Sequence, residues 1–174
     1  MIEELRSKVK ALLKNKQVDM VIGYQRAADG ISATPCFIVD ENEADKLIWD
    51  AYCVYNLANY LKEFRGKKIA LTVKPCDARS LIMLLQENQL KREDVFIIGV
   101  ECHGVINEKR VSIPGKPGQE IGFDEKCRSC ASCVPAFYDL LIKEKKEKIK
   151  LSDPAEKDKY EPIRKLEAKS LDER

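Results

Sequence analysis

The chain has 174 residues, a length that predicts one domain, and 44% of them are hydrophobic, which is enough for a buried core. Its formal net charge is only +2, with acidic and basic residues mixed, so the composition gives no global case for nucleic-acid binding. The first residues hold no signal-like apolar stretch and no segment has the length of a membrane span, so we expect a cytoplasmic protein.

Apolar spacing predicts the elements of the first part of the chain. Residues 18–24 and 35–39 are short β-rich runs on either side of an Asp29-Gly30 turn, which indicates a hairpin with a long connection. Asp40 or Asn42 is then the expected cap of a helix that runs to about Phe64. Before the hairpin, helical spacing predicts an amphipathic helix carrying Ile2, Leu5, Val9, Leu12 and Leu13.

The clearest pattern is a strand–helix–strand unit in the middle of the chain. Residues 69–73 and 95–100 are near-continuous apolar runs, as expected for strands covered on both faces, and a helical stretch separates them. A unit of this length fits a parallel crossover. We therefore predict an α/β fold: a single domain with a small, mostly parallel sheet flanked by helices.

The remaining third of the chain is less regular. Residues 105–123 contain two Pro-Gly pairs and indicate a long irregular loop. A helix is predicted to begin after Cys133 and to carry Phe137, Tyr138, Leu140, Leu141 and Ile142. From Lys143 onward charge dominates, which indicates a solvated or partner-docked extension, helical from Ile163. The predicted organisation is an α/β domain over 1–142 and a charged C-terminal extension over 143–174.

Seven cysteines and a single histidine limit the chemistry of the chain. Cytosolic thiols are kept reduced, and the odd number argues against a complete disulfide set, so metal binding is the favoured use of these cysteines. One histidine excludes a zinc finger of two cysteines and two histidines, and also a histidine relay.

Four of the cysteines are expected to meet at one edge of the sheet. Cys76 and Cys102 each follow a predicted parallel strand, and the carboxyl ends of such strands lie together. Cys127 and Cys130 add two thiols from a Cys-x-x-Cys loop, a spacing that suits both zinc and iron–sulfur sites. At this point two alternatives stay open: a structural zinc site with four cysteine ligands, and a loop that binds metal without Cys76 and Cys102.

Local sequence around the two strand ends favours an anionic group there. Pro75 suits the first turn of the following helix, and the helix N-terminus favours a thiolate or an anionic cluster. Gly99 and Gly104 allow the second loop to approach closely. Core packing is the expected role of Cys36 and Cys53.

Five further residues of this region have both a structural and a functional interpretation. Lys74, Arg79 and Arg128 ring the site and are either surface charges or cations beside an anionic cluster or a flavin pyrophosphate. Asp77 is a helix N-terminal residue rather than an acid catalyst. His103 is either a structural group or a hydrogen-bond donor that tunes a cluster. The residues assigned to cofactor binding are Lys74, Asp77, Arg79 and His103.

These motifs together resemble the beta-subunit family of deazaflavin-coenzyme-reducing hydrogenases and formate dehydrogenases. The pattern is Pro75-Cys76 after one strand, Gly99-x-x-Cys102-x-Gly104 after the next, and Cys127-x-x-Cys130 in a loop. Segments beginning at Val21, Asn56 and Pro135 extend the similarity to the branch associated with heterodisulfide-reductase-like complexes. The resemblance covers about residues 18 to 142.

The resemblance implies a cofactor and partners. It implies a 4Fe-4S cluster held by Cys76, Cys102, Cys127 and Cys130, FAD as a further cofactor, and partner redox subunits that carry ferredoxin-type clusters or flavin. Two features depart from the family: the chain lacks the usual ferredoxin-like cysteine cassettes, and it has no Gly-x-Gly-x-x-Gly fingerprint. Cys133 adds a thiol that the family pattern does not assign, and we treat it as a spare.

The expected function is therefore that of an iron–sulfur electron-transfer subunit in an anaerobic oxidoreductase complex. A zinc-stabilised assembly subunit without redox activity is the main alternative, and it predicts a colourless protein that unfolds when chelated. A flavin-dependent reductase acting alone is less favoured, because no proton-donor constellation is visible in the sequence.

Overall fold

The computed structural model describes residues 1–106, 123–128, 130, 132–143 and 161–170. A five-stranded sheet forms the centre of this part of the chain, in the order β2-β1-β3-β4-β5. β2 is antiparallel to β1, whereas β1, β3, β4 and β5 are mutually parallel. The predicted α/β class with a small, mostly parallel sheet is confirmed. The strands are β1 Met20–Arg26, β2 Ala33–Ile38, β3 Ile69–Val73, β4 Val95–Val100 and β5 Leu140–Ile142.

Helices cover both faces of this sheet. On one face, α1 (Ile2–Lys14) buries Leu5, Val9, Leu12 and Leu13 against the sheet, which confirms the predicted opening helix. On the other face lie α2 (Pro75–Gln86) and a 3-10 helix, Leu57–Phe64. β3 is buried at every position, because its alternate residues enter the two separate cores. Both strands of the predicted crossover therefore have the expected bounds and the expected parallel pairing.

The predicted helix over residues 40–64 is wrong. This segment forms two 3-10 helices, Glu41–Lys46 and Leu57–Phe64, with irregular backbone between them. Asp50 and Asn56 explain the break, because their side-chain oxygens accept the backbone N–H groups of Tyr52 and Ala58 at 2.8 and 3.1 Å. Such local hydrogen bonds offer the backbone an alternative to the helical ladder.

The helix predicted to begin after Cys133 is also wrong, since Leu140–Ile142 form β5 at the edge of β4. The backbone N–H of Asp139 donates to the Ile97 carbonyl at 2.9 Å, and the Asp139 carboxylate accepts the Ile97 N–H at 2.7 Å. The open edge of β4 thus obtains hydrogen-bond partners that a helix would not provide.

The structure describes the predicted loop (105–123) and the predicted C-terminal extension (143–174) only in part. Two short helices, α3 (Glu125–Arg128) and α4 (Glu161–Glu167), lie within the described residues, and α4 overlaps the helix expected from Ile163. Most of the expected loop (107–122) and most of the expected extension (144–160 and 171–174) lie outside them. The domain boundary at 142 therefore stays a prediction. No described helix is both long enough and apolar enough to cross a membrane.

We expect Gly23→Ala to destabilise the fold, because the new Cβ would lie 2.4 Å from Cδ2 of the fully buried Leu47. Core overpacking of this kind costs about 1–3 kcal/mol in the free energy of unfolding, which urea denaturation measures. The double variant Gly23→Ala/Leu47→Ala removes the clashing methyl group, so its loss should be smaller than the sum of the two single losses. Additive losses would contradict the contact.

Candidate cysteine site

The parallel pairing of β3 and β4 brings two cysteine turns to the same edge of the sheet. Val73 pairs with Gly99, and Cys76 and Cys102 each lie three residues beyond their member of this pair. Cys76 is in the first turn of α2, which begins at Pro75. The convergence that the sequence predicted for these two thiols is therefore supported by the register.

The loop of Cys127 lies against the backbone that follows Cys102. The Val105 N–H donates to Sγ of Cys127 at 3.3 Å, and the Asp124 N–H donates to the Val105 carbonyl at 2.9 Å. Cys130 remains close to Cys127, because its N–H donates to the Cys127 carbonyl at 3.3 Å. All three cysteine-bearing segments thus meet beside the carboxyl ends of β3 and β4.

The four thiols affect one another electrostatically, each through at least one neighbour. Burial raises the pKa of Cys102 to about 12, and the nearby Cys76 and Cys127 thiols add to this rise. Burial also raises the pKa of Cys127, with a contribution from Cys130. Each thiol of the set therefore interacts with at least one other. Burial thus favours the protonated form of Cys102 and Cys127, whereas a bound metal would deprotonate the thiols that bind it.

The donor set fits a thiolate-bound metal in its chemistry. Four thiols at one edge suit zinc or an iron–sulfur cluster, the two groups that favour sulfur ligands. The segments converge without forming a coordination sphere: in the described part of the chain, no three His, Cys, Asp or Glu side chains are arranged to hold a metal ion. The assignment of Cys76, Cys102, Cys127 and Cys130 as ligands therefore stays a proposal.

Glycine allows the two close approaches on which this arrangement depends. A Cβ on Gly99 would lie 3.0 Å from Cβ of Tyr138, and one on Gly104 would lie 2.8 Å from the ring of Phe123. Gly104 also has a φ of +113°, a backbone conformation that other residues adopt only with strain. Both glycines thus allow close packing beside the thiols, whereas the approach of this loop to a bound group stays a prediction.

Lys74 and Asp77 are buried beneath the thiols rather than exposed around them. Each is 1% exposed, and Nζ of Lys74 lies 2.9 Å from Oδ2 of Asp77. The Asp77 carboxylate also accepts the backbone N–H of Lys74 at 3.3 Å, as expected for a helix N-terminal residue. Burial raises the pKa of Asp77, and the Lys74 ammonium opposes that rise. The interpretation of Lys74 as a surface charge is wrong, because its ammonium has partners inside the protein.

Arg79 and His103 are the exposed members of the predicted set. Arg79 lies on α2, and His103 borders a cavity of about 160 Å³ beside Cys102. The side chain of Arg128 lies outside the described residues. The same cavity is lined by Trp49, a residue that sequence analysis did not select. Its Nε1 donates to the Glu101 carbonyl at 3.0 Å, a tertiary contact with no local sequence signal.

The other three cysteines differ in exposure. Cys36 and Cys53 are 5% and 1% exposed and lie in the two cores, which confirms core packing for both. Cys133 is exposed, and its carbonyl accepts the N–H of Cys102 at 2.9 Å. Its position beside Cys102 makes it a useful control for the four proposed ligands.

Comparison with known proteins agrees with this architecture. The chain is 35% identical over 103 residues to F420-dependent formate dehydrogenase subunit beta of Methanocaldococcus jannaschii. It is 29% identical over 102 residues to F420-dependent formate dehydrogenase 1 subunit beta of Methanococcus maripaludis. These alignments cover 56% and 58% of this chain but only 26% of each relative, so the chain spans about a quarter of their length. No family model matches the chain.

A solved structure shows the same fold. A chain of the F420-reducing [NiFe] hydrogenase complex from Methanosarcina barkeri superposes with a TM-score of 0.53 at 16% identity, over 62% of this chain and 40% of that one. The relatives found by sequence are formate dehydrogenase beta subunits. Together these findings are consistent with the predicted family resemblance.

In the metal-free chain, we expect slow alkylation of Cys102. At pH 8, about one part in ten thousand of a thiol with a pKa of about 12 is thiolate, the form that reacts. Below that pKa the thiolate fraction rises about tenfold for each pH unit, so iodoacetamide labelling should accelerate about tenfold between pH 8 and pH 9. Peptide mass spectrometry measures the rate. Labelling of Cys102 at pH 8 as fast as that of the exposed Cys133 would contradict its placement.

Proposed function

We propose that this chain is an iron–sulfur electron-transfer subunit, of the beta type, in a multi-subunit oxidoreductase. The complex would be a formate dehydrogenase, a hydrogenase or a heterodisulfide-reductase-like assembly. The observation that carries the proposal is the convergence of three cysteine-bearing segments at the carboxyl edge of β3 and β4. The sequence relationship to formate dehydrogenase beta subunits supports the same class of complex.

The proposed cofactor is one 4Fe-4S cluster, and its ligands are Cys76, Cys102, Cys127 and Cys130. Such a cluster transfers single electrons, and the protein around it sets its position, its shielding from water and its potential. In this chain Cys76 and Cys102 are fixed by the sheet, because each follows a buried strand. Cys127 and Cys130 come from a loop that hydrogen-bonds to the backbone beyond Cys102.

Partners follow from the same proposal. A single cluster can pass electrons onward only to another redox centre, so we assign the next centres to partner subunits that carry ferredoxin-type clusters or flavin. The cytoplasm is the proposed location, in keeping with reduced thiols. The chain has no Gly-x-Gly-x-x-Gly fingerprint, the sequence motif of dinucleotide binding. The proposal of FAD as a further cofactor therefore rests on the family resemblance alone.

A structural zinc site is the competing function, and the donor set itself supports it. Four thiols with a Cys-x-x-Cys pair are also the ligands of closed zinc sites. Zinc in such a site would stabilise the fold without transferring electrons. Metal analysis distinguishes the two functions, because only the iron–sulfur site contains acid-labile sulfide.

The full chain, purified without oxygen, should contain about four iron and four acid-labile sulfide atoms per protein molecule, which is the content of one 4Fe-4S cluster. Changing any one of Cys76, Cys102, Cys127 or Cys130 to Ser removes a thiolate ligand and should lower both contents several-fold. Colorimetric iron and sulfide assays measure them.

The matched control is Cys133→Ser, which changes an exposed thiol next to Cys102 and should leave both contents unchanged. Stoichiometric zinc without sulfide in the unaltered chain would overturn the proposal. Full iron and sulfide in all four ligand variants would also contradict the assignment of these thiols.

A further inference from the structure

A buried cation lies beneath the two cysteine turns, and it has more partners than an ion pair alone provides. Besides Asp77, Nζ of Lys74 donates to the Tyr24 hydroxyl and to the Tyr55 carbonyl, the latter at 2.6 Å. An ammonium has three N–H donors, and here three oxygens accept from it. Nζ also lies 4.7 Å from the centre of the Tyr24 ring. The charge is therefore fixed in place, because moving Nζ away would leave several polar groups in the core without hydrogen-bond partners.

The same network reaches both cysteine turns. On one side, Oδ1 of Asp77 lies 3.6 Å from Sγ of Cys76. On the other, the Tyr24 ring packs edge-on against Trp49 at 5.8 Å between ring centres, and Trp49 holds the Glu101 carbonyl next to Cys102. Lys74 also lines the cavity that borders Cys102. Contacts of Lys74 and its partners thus connect the segment that carries Cys76 with the segment that carries Cys102.

We propose that Lys74 is a positioning residue that places a fixed positive charge at the cysteine edge and raises the reduction potential of the cluster there. This inference rests on the proposed iron–sulfur function. Each electron that a cluster takes up adds one negative charge, and a nearby cation in a water-poor environment stabilises that charge. Loss of the cation should therefore make the cluster harder to reduce.

Asp77 should act in the opposite direction, because its carboxylate carries the opposite charge and its Oδ1 lies 3.6 Å from Sγ of Cys76. Two adjacent buried charges of opposite sign thus predict potential shifts of opposite sign. A purely structural role for the pair predicts no such opposition.

The test compares two variants of the anaerobically purified full chain. Lys74→Met alone would leave a buried, unpaired carboxylate and destabilise the protein, so the lysine is changed together with Asp77. Asp77→Asn keeps the shape of the side chain and an oxygen acceptor for Lys74. The measurements are the cluster's midpoint potential, by spectroscopic redox titration, and the iron and sulfide content of each sample.

We expect Asp77→Asn to shift the midpoint to a more positive value, and Asp77→Asn/Lys74→Met to lie below Asp77→Asn. The midpoints of these two variants should differ by at least about 59 mV. For one electron, this is a tenfold change in the ratio of oxidised to reduced cluster at a fixed potential. The matched control is Lys68→Met, which removes an exposed lysine just before β3, at the opposite edge of the sheet. It should not shift the midpoint, because water and salt screen that charge.

Four results would overturn the inference. Unshifted midpoints with full cluster content would make Lys74 a packing residue, and so would a midpoint of the double variant at or above that of Asp77→Asn. Loss of the cluster from both variants would assign the pair a structural role only. Absence of iron and sulfide from the unaltered chain would instead refute the iron–sulfur function, so the two failures are distinguishable.

Discussion

The parallel pairing of β3 with β4 is the constraint on which the rest of the structure depends. Five residue pairs fix its register from Ile69–Val95 to Val73–Gly99, and a cysteine lies three residues beyond each member of the last pair. Because a strand rises about 3.3 Å per residue, a slip of one position would separate Cys76 from Cys102 by that amount and turn the buried faces outward. The two cores on either side of the sheet prevent such a slip, since both strands bury nearly every side chain.

The elements around this pair close the site from several sides. Gly99 and Gly104 remove side chains where Tyr138 and Phe123 approach, and the Cys127 loop hydrogen-bonds to the backbone at Val105. Beneath the thiols lies a charged pair that is fully enclosed. Burying charge is costly unless every donor and acceptor is satisfied, and no buried side-chain nitrogen or oxygen among the described residues lacks a partner. The polar network is thus a complete unit, consistent with a role in the electrostatics of the site.

Sequence patterns predicted the elements that hydrophobic burial determines and missed those determined by local or distant polar contacts. The strands Ile69–Val73 and Val95–Val100 were evident because continuous apolar runs indicate burial on both faces. The segment around Asp50 was mistaken for helix because apolar spacing does not reveal side-chain hydrogen bonds to the backbone. The burial of Lys74 has no local sequence signal, because Tyr24, one of its partners, lies 50 positions away in the chain. Spacing located the four thiols, but it does not distinguish iron and sulfide from zinc.

The visible absorption spectrum of the anaerobically purified full chain, before and after chemical reduction, tests the central claim most directly. We predict a brown protein whose broad sulfur-to-iron absorption bleaches on reduction and returns on reoxidation, as expected if the cysteine edge holds a redox-active cluster. A colourless protein that contains stoichiometric zinc, and whose spectrum does not respond to reductant, would contradict it.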